Sequence, residues 1–271
     1  MPRRQASGLA GLLPLALALA TLACAQQMGE GTEAYPELPT QFCTRAGGCA
    51  TKRTKLVASA ALHNMYWDGD KTKPCAAALN TTAECAFDNG DAAACTKKCT
   101  IEPMGDYGRI GVSTKGDALT MRLFMPNANG TGYTRINPQV YLLGEDGKGY
   151  EMFRLVNQEL TFDVDMSSLG CGLNGALYFS EMDASGSRGE LNPAGAARGT
   201  GEAMGRGMVL VFSIWNSLTG DNMNWLDSGA AGPCGPDEGS PEMVLARNPN
   251  VAVTFSNIRW GELDTTYQRG G

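Results

Sequence analysis

The sequence predicts an all-β domain, a sandwich or jelly roll of two antiparallel sheets. Three observations predict it. Apolar and polar residues alternate over short runs, Gly, Pro and Asn punctuate the gaps between those runs, and no long stretch has the 3.6-residue period of an amphipathic helix. Many short strands joined by Gly-rich turns build sandwiches and jelly rolls.

The elements follow in chain order. Residues 1–25 read as a secretory signal peptide: Arg3 and Arg4, an uncharged apolar run at 9–22, then small residues at Ala23, Cys24 and Ala25. That run is short for a membrane span, so the expected product is soluble, secreted and extracellular, with no membrane contact after cleavage. Residues 26–271 then form a single domain. The stretch 43–99 is Cys-rich with little periodicity, and disulfides are expected to hold its shape. Strand signals follow at 118–125, 139–143, 160–166, 173–179, 208–215 and 251–255. In one of them Leu160, Phe162, Val164 and Met166 alternate with Thr161, Asp163 and Asp165, the pattern of a half-buried strand. The stretch 185–207, SGSRGELNPAGAARGTGEAMGRG, has no period and reads as a long flexible connection. Asn80 and Asn129 head glycosylation sequons suited to surface loops.

Charge and side-chain chemistry exclude several functions. Without the leader, Lys+Arg falls from 22 to 20 against 28 acids, a net charge of −8. Such a chain repels phosphate backbones, so no nucleic-acid partner is expected. With a single histidine, His63, a Ser/His/Asp nucleophile system has no support, and no phosphate-binding Gly loop follows a strand. Nine cysteines leave eight after Cys24 is removed, an even number that reads as a disulfide framework in an oxidising compartment. Zinc-finger spacing is absent, so neither metal nor cofactor is expected.

Several segments resemble one family closely. They are GMVLVFSIWN at 207–216, MNWLDSG at 223–229, AGPC at 231–234, NPNVAVTFSNIRWG at 248–261 and LTFDVDMSSLGCGLNGALYFSEMDASG at 160–186. Together they are similar to glycoside hydrolase family 7 cellulases, in their endo-β-1,4-glucanase branch. The resemblance implies a concanavalin-like β-sandwich and the bridges Cys43–Cys49, Cys75–Cys99, Cys85–Cys95 and Cys171–Cys234. It also implies a monomer acting on cellulose or another β-1,4-glucan.

The resemblance implies an omission as well. Family members carry a Glu-x-Asp-x-x-Glu run whose outer acids are the nucleophile and the acid/base. Retaining glycosidases need two such carboxyl groups about 5–5.5 Å apart. Here Glu181, Met182 and Asp183 begin like that run, but Gly186 stands where its final Glu belongs. Glu181 and Asp183 are therefore expected at a strand end or turn. Glu159, Asp163 and Asp165 lack a Glu at the right offset, and Asp237, Glu238 and Glu242 read as solvated loop charge. No catalytic residue is assigned. The catalytic block is expected to be missing between Gly201 and Gly207, which leaves the sandwich incomplete with new sheet edges.

Candidate sugar-binding residues remain. Trp215 and Trp225 match family Trp positions that line glucosyl subsites. Asn174 and Tyr178 fall at i and i+4 with Ala176 between, so all three share a strand face. Gln139 stands where many members place Arg. Trp260 is expected to be structural, and Trp67 to lie near the cleft entrance. Two functions follow: an endo-β-1,4-glucanase by family, doubtful for this chain without its carboxylates, or a non-catalytic β-glucan-binding protein. A splice form or an incomplete gene model would give the same sequence.

Overall fold

A computed structural model describes residues 27–28, 31–75, 99–185, 200–217 and 223–267. The signal segment, Asn80 and the Cys85–Cys95 pair lie outside them.

Two sheets face each other. The outer, six-stranded sheet contains β1 (Thr40–Thr44), β2 (Gly48–Lys52), β4 (Val112–Lys115), β5 (Ala118–Arg122), β8 (Gln158–Asp165) and β11 (Ala252–Glu262). The inner, five-stranded sheet contains β3 (Lys55–Ala58), β6 (Gln139–Leu143), β7 (Met152–Phe153), β9 (Asn174–Ser180) and β10 (Met208–Trp215). Each sheet is organised on one long strand. β11 pairs with β8 on one edge and with β5 and β1 on the other. β10 pairs with β9 on one edge and with β6 and β7 on the other.

The alternation read from sequence places the core. Phe212 of β10 meets Phe255 of β11 at 5.3 Å between ring centroids, and Phe153 of β7 meets Trp260 of β11 at 4.7 Å. Leu119, Met121, Val140, Leu142, Leu210 and Ile214 are fully buried around them. Trp260 is structural, as expected.

Three predicted bridges are present: Cys43–Cys49, Cys75–Cys99 and Cys171–Cys234. The last joins positions 63 residues apart, tying the turn before β9 to the loop after β10. Asn129 sits on an exposed turn, its Oδ1 accepting from the Thr131 amide at 3.0 Å. Among the described residues no helix is long and apolar enough to cross a membrane.

The structure corrects three expectations. The stretch 185–207 is not all irregular, because Thr200–Arg206 forms a helix, α1. Ala203 is buried beneath it, and Arg206 pairs with Glu202 one turn earlier and with Glu181 beyond β9. The outer sheet is not wholly antiparallel, since β1 runs parallel to β11. Gly261 permits that approach: a Cβ there would lie 1.9 Å from the Cys43 carbonyl oxygen. Trp67 packs on the Cys75–Cys99 pair.

The third correction concerns β8. Val164 pairs with Phe255, so Leu160, Phe162, Val164 and Met166 face inward as the alternation predicts. Even so, Phe162 is 37%, Val164 40% and Met166 51% exposed. β9 stands over β11 instead: a Cβ on Gly175 would lie 3.3 Å from the Val253 side chain. Among the described residues no strand covers β8, and β9 is likewise an edge strand.

This geometry predicts unequal costs for one substitution at two inward-facing valines. Val253→Ala removes fully buried methyls and is expected to destabilise by about 1–3 kcal/mol. Val164→Ala is expected to cost under about 0.5 kcal/mol. Urea unfolding of both variants measures the difference, and equal costs would mean that β8 is covered.

Candidate functional site

An open groove of about 590 Å³ lies on the face of the inner sheet that points away from the core. Strand register assembles its floor. Asn174 pairs across to Trp215, Ala176 to Ser213, and Gln139 to Ser213 from the other side. Alternation then sends Asn174, Ala176 and Tyr178 to the same face as Ser213, Trp215 and Gln139, and all six line the groove. Gln139 Nε2 donates to the Tyr178 hydroxyl, a rung that crosses β10. The wall comes from elsewhere. Ser59, Ala61 and Leu62 supply one part, from the 3-10 turn Ala60–Leu62 and its cap, and Ile136 and Asn137 supply another.

Of the four sugar-contact candidates, Asn174, Tyr178 and Trp215 are therefore together. Trp225 lies beyond the lining, on the short helix α2 (Asn224–Asp227), 66% exposed. Its ring stacks on Trp215 with centroids 6.2 Å apart and planes 28° apart. The two indoles extend the floor as an apolar shelf, the surface that the C–H face of a pyranose covers.

Sequence reasoning missed Ser213 as a groove residue. It is 6% exposed, and its hydroxyl has no hydrogen-bond partner among the described residues. The signal was a lone polar residue inside MVLVFSIW, two before Trp215. The wall residues had no local signal.

The Trp215 end of the groove is fastened by Asn216. This fully buried side chain donates to the carbonyls of Gly172 and Gly239, the latter at 2.9 Å. Its backbone bonds Asn137 in both directions at 3.1 Å. Gly172 must be glycine, since a Cβ would meet the Gly239 oxygen at 2.2 Å. Asp227 accepts from the Gly172 amide, which draws α2 and Trp225 into the same cluster.

Among the described residues no carboxylate, and no other charged side chain, lines the groove. Six of the acids weighed from sequence have structural partners instead. Glu181 is ion-paired to Arg206. Asp183 accepts from the amide and hydroxyl of Ser185, and those bonds hold its carboxyl below the usual range. Asp163 accepts from Asn257 and Asp165 from the Ser167 amide. Glu159 gathers donors from Asp264, Thr265 and Thr266; burial opposes its charge, but those bonds win and pull it down to about 2. Glu238 accepts from the Gly235 amide and Arg247 and lies beside Cys171 and Cys234. That trio offers no metal site, because both sulfurs are in a disulfide.

Comparison with known proteins accords with this architecture. The profile of glycosyl hydrolase family 7 matches residues 28–202 and 201–267. The chain belongs to glycosyl hydrolase family 7. The probable endo-β-1,4-glucanase celB of Aspergillus terreus is 30% identical over 419 residues, covering 95% of this chain and 98% of that one. Endoglucanase EG-1 of Hypocrea jecorina is 31% identical over 391 residues, covering 92% and 83%. Among solved structures, the native endocellulase EGI of Humicola insolens superposes with a TM-score of 0.71 at 23% identity, covering 89% of this chain and all of that one. An endoglucanase I complexed with cellobiose gives 0.70 at 24%. By family this chain is a glycoside hydrolase of the cellulase type. The family 7 alignment with the A. terreus relative is longer than the 271-residue chain itself. At 95% coverage this chain fills about 257 of the 419 positions, which leaves roughly 160 to the relative alone.

The Asn216 cluster yields a prediction. Asn216→Ala leaves two buried carbonyls without a donor and is expected to cost about 2–4 kcal/mol. Chemical denaturation measures it, and a cost below 1 kcal/mol would show that the cluster does not fasten the groove.

Proposed function

We propose that this chain, as it stands, binds a β-1,4-glucan in the inner-sheet groove and does not hydrolyse it. The observation that carries this is the groove's lining, which among the described residues offers indole, amide, hydroxyl and phenol groups without a single carboxylate. Binding and cleavage ask different things of a protein. Binding needs an apolar shelf for pyranose faces and polar groups for hydroxyls, and Trp215, Trp225, Asn174, Tyr178, Gln139 and Ser213 offer both. Retaining cleavage needs a nucleophile and a proton donor on opposite sides of one bond. Glu159, Asp163, Asp165, Glu181, Asp183 and Glu238 are engaged elsewhere.

The reading includes a contiguous loss of the catalytic segment near Gly201. The two-piece family match, which divides at residues 201 and 202, supports it. So do the length of the alignment with the A. terreus relative and the uncovered inward face of β8. A longer message would supply the segment, and amplifying transcript across the codons for Gly199 and Gly207 tests for one. Secretion and action as a single chain belong to the same reading, since one chain builds the whole groove.

Purified protein is expected to release reducing sugar from carboxymethylcellulose no faster than buffer does, and steady turnover would overturn the reading. It is also expected to be retained on cellulose, with Trp215→Ala weakening retention about tenfold, equivalent to ~1.4 kcal/mol. Unchanged retention would remove Trp215 from the binding surface.

A further inference from the structure

The groove wall of Ser59, Ala61 and Leu62 rests on a buried cluster that binding itself does not use. His63 follows the 3-10 turn directly, and its side chain is 5% exposed. Its Nδ1 lies 3.1 Å from the Ser59 carbonyl oxygen, and its Nε2 lies 3.0 Å from Oε1 of Glu33. Glu33, with a side chain 4% exposed, also accepts from the Tyr107 hydroxyl at 2.7 Å and the Met104 amide at 2.6 Å. Tyr107 in turn accepts from the Ala58 amide at 3.1 Å. The chain entering the sandwich, the turn behind the groove and the 3-10 turn Tyr107–Ile110 thus meet at the His63–Glu33 pair.

Hydrogen-bond chemistry fixes what that imidazole must be. A carbonyl oxygen and an ionised carboxylate are both acceptors. A neutral imidazole has one N–H and one lone pair, so it can serve only one of the two. Only the doubly protonated ring donates to Ser59 and Glu33 together. Loss of the proton aims a lone pair at one acceptor and releases either the wall or the anchor. The carbonyl at stake also accepts from the Leu62 amide at 2.9 Å, so the turn's own closure shares it.

We propose that His63 is a positioning residue of the groove, holding the Ser59, Ala61 and Leu62 wall through its charged bridge to Glu33, so that glucan affinity follows the protonation of this histidine. The proposal rests on the glucan-binding reading above. The groups facing the bridge agree with it. Burial alone would lower the His63 pKa, but the bond and charge of Glu33 outweigh that and raise it above 6.5. Burial alone would raise Glu33, but its bonds from His63, Tyr107 and Met104 outweigh that and lower it below 4.5. Tyr107 and Tyr35, which feel the Glu33 charge, are both shifted upward and stay neutral in this range. From the inner sheet Tyr141, also shifted upward, bonds Ser59.

The signs follow from linkage. Stabilisation from His63 is fully present below 6.5 and is lost as pH rises through the raised pKa. Stabilisation from Glu33 is present above 4.5 and is lost as pH falls through the lowered one. The wall is held between those limits and released on the alkaline side by one proton.

One experiment reads all of this. His63 is the only histidine, so its ring protons titrate by NMR without ambiguity. Cellohexaose affinity is measured by calorimetry on the full secreted chain between about pH 5.5 and 8.5, below phenol ionisation. Wild-type affinity is expected to fall by about fivefold or more, with its midpoint at the ring's own pKa. His63→Arg, a permanent cation, is expected to bind without that fall, and His63→Gln to bind weakly throughout. Wild-type affinity that stays flat while the ring titrates would overturn the proposal. Absence of binding at every pH would overturn the glucan reading instead. The positioning role is then judged on amide exchange at Leu62 and His63, whose N–H groups bond Ser59 and Ala60. Protection from exchange, taken against the intrinsic amide rate at each pH, that falls as the ring deprotonates sustains the role, and protection that does not change overturns it.

Discussion

Contact between β10 and β11 is the constraint on which the rest depends. Each is the long strand of its sheet, and they meet through Phe212 and Phe255, with Leu210, Ile214, Val253 and Ile258 fully or almost fully buried around them. Because a strand alternates, burying one face of β10 fixes the other. Ser213 and Trp215 can then only stand on the groove floor, and the register with β9 sets Asn174 opposite Trp215. A one-residue slip would bury the serine and tryptophan and expose three apolar side chains. The energy of sheet packing is thus what aims the candidate sugar contacts.

This explains which parts of the molecule were legible in the sequence. The spacing of Asn174, Ala176 and Tyr178 along one strand revealed a shared face, so those side chains were placed together from sequence. The apolar run 208–215 revealed a strand, but Trp215 within it was found through family likeness. The groove wall and the Glu33–His63 bridge were not, because they join segments 30 residues apart whose local patterns say nothing of each other. Helix α1 was hidden by its glycines. It is held by Ala203 docking and by Arg206 reaching Glu181, 25 residues back, rather than by propensity. The bridges could be paired only through family likeness, since cysteine count leaves connectivity open.

The flank at β8 and β9 shows the opposite relation. Its pattern predicts a buried strand, and the described residues provide no cover for it. Local and global signals normally agree in a natural chain, so a conflict of this kind marks where a partner element belongs. Inward-facing Phe162, Val164 and Met166 standing partly in solvent are what a sandwich presents when one sheet is narrower than the other. The two-piece family match lies at the connection leading from β9 to β10, the strands that border this flank.

The proposed loss would divide the properties of a hydrolase unequally. In that reading, stacking and hydrogen bonding to sugar are spread over β6, β9, β10 and α2, and each contributes modestly and independently. Removing a neighbouring segment leaves most of them in place, because the β10–β11 packing and the Asn216 cluster do not depend on it. Acid/base chemistry is concentrated in two carboxyl groups that must share one site, so a single contiguous loss removes it whole. Recognition therefore degrades gradually along this fold, whereas catalysis disappears in one step. A groove lined, among the described residues, by neutral groups is the physical form that this asymmetry would take.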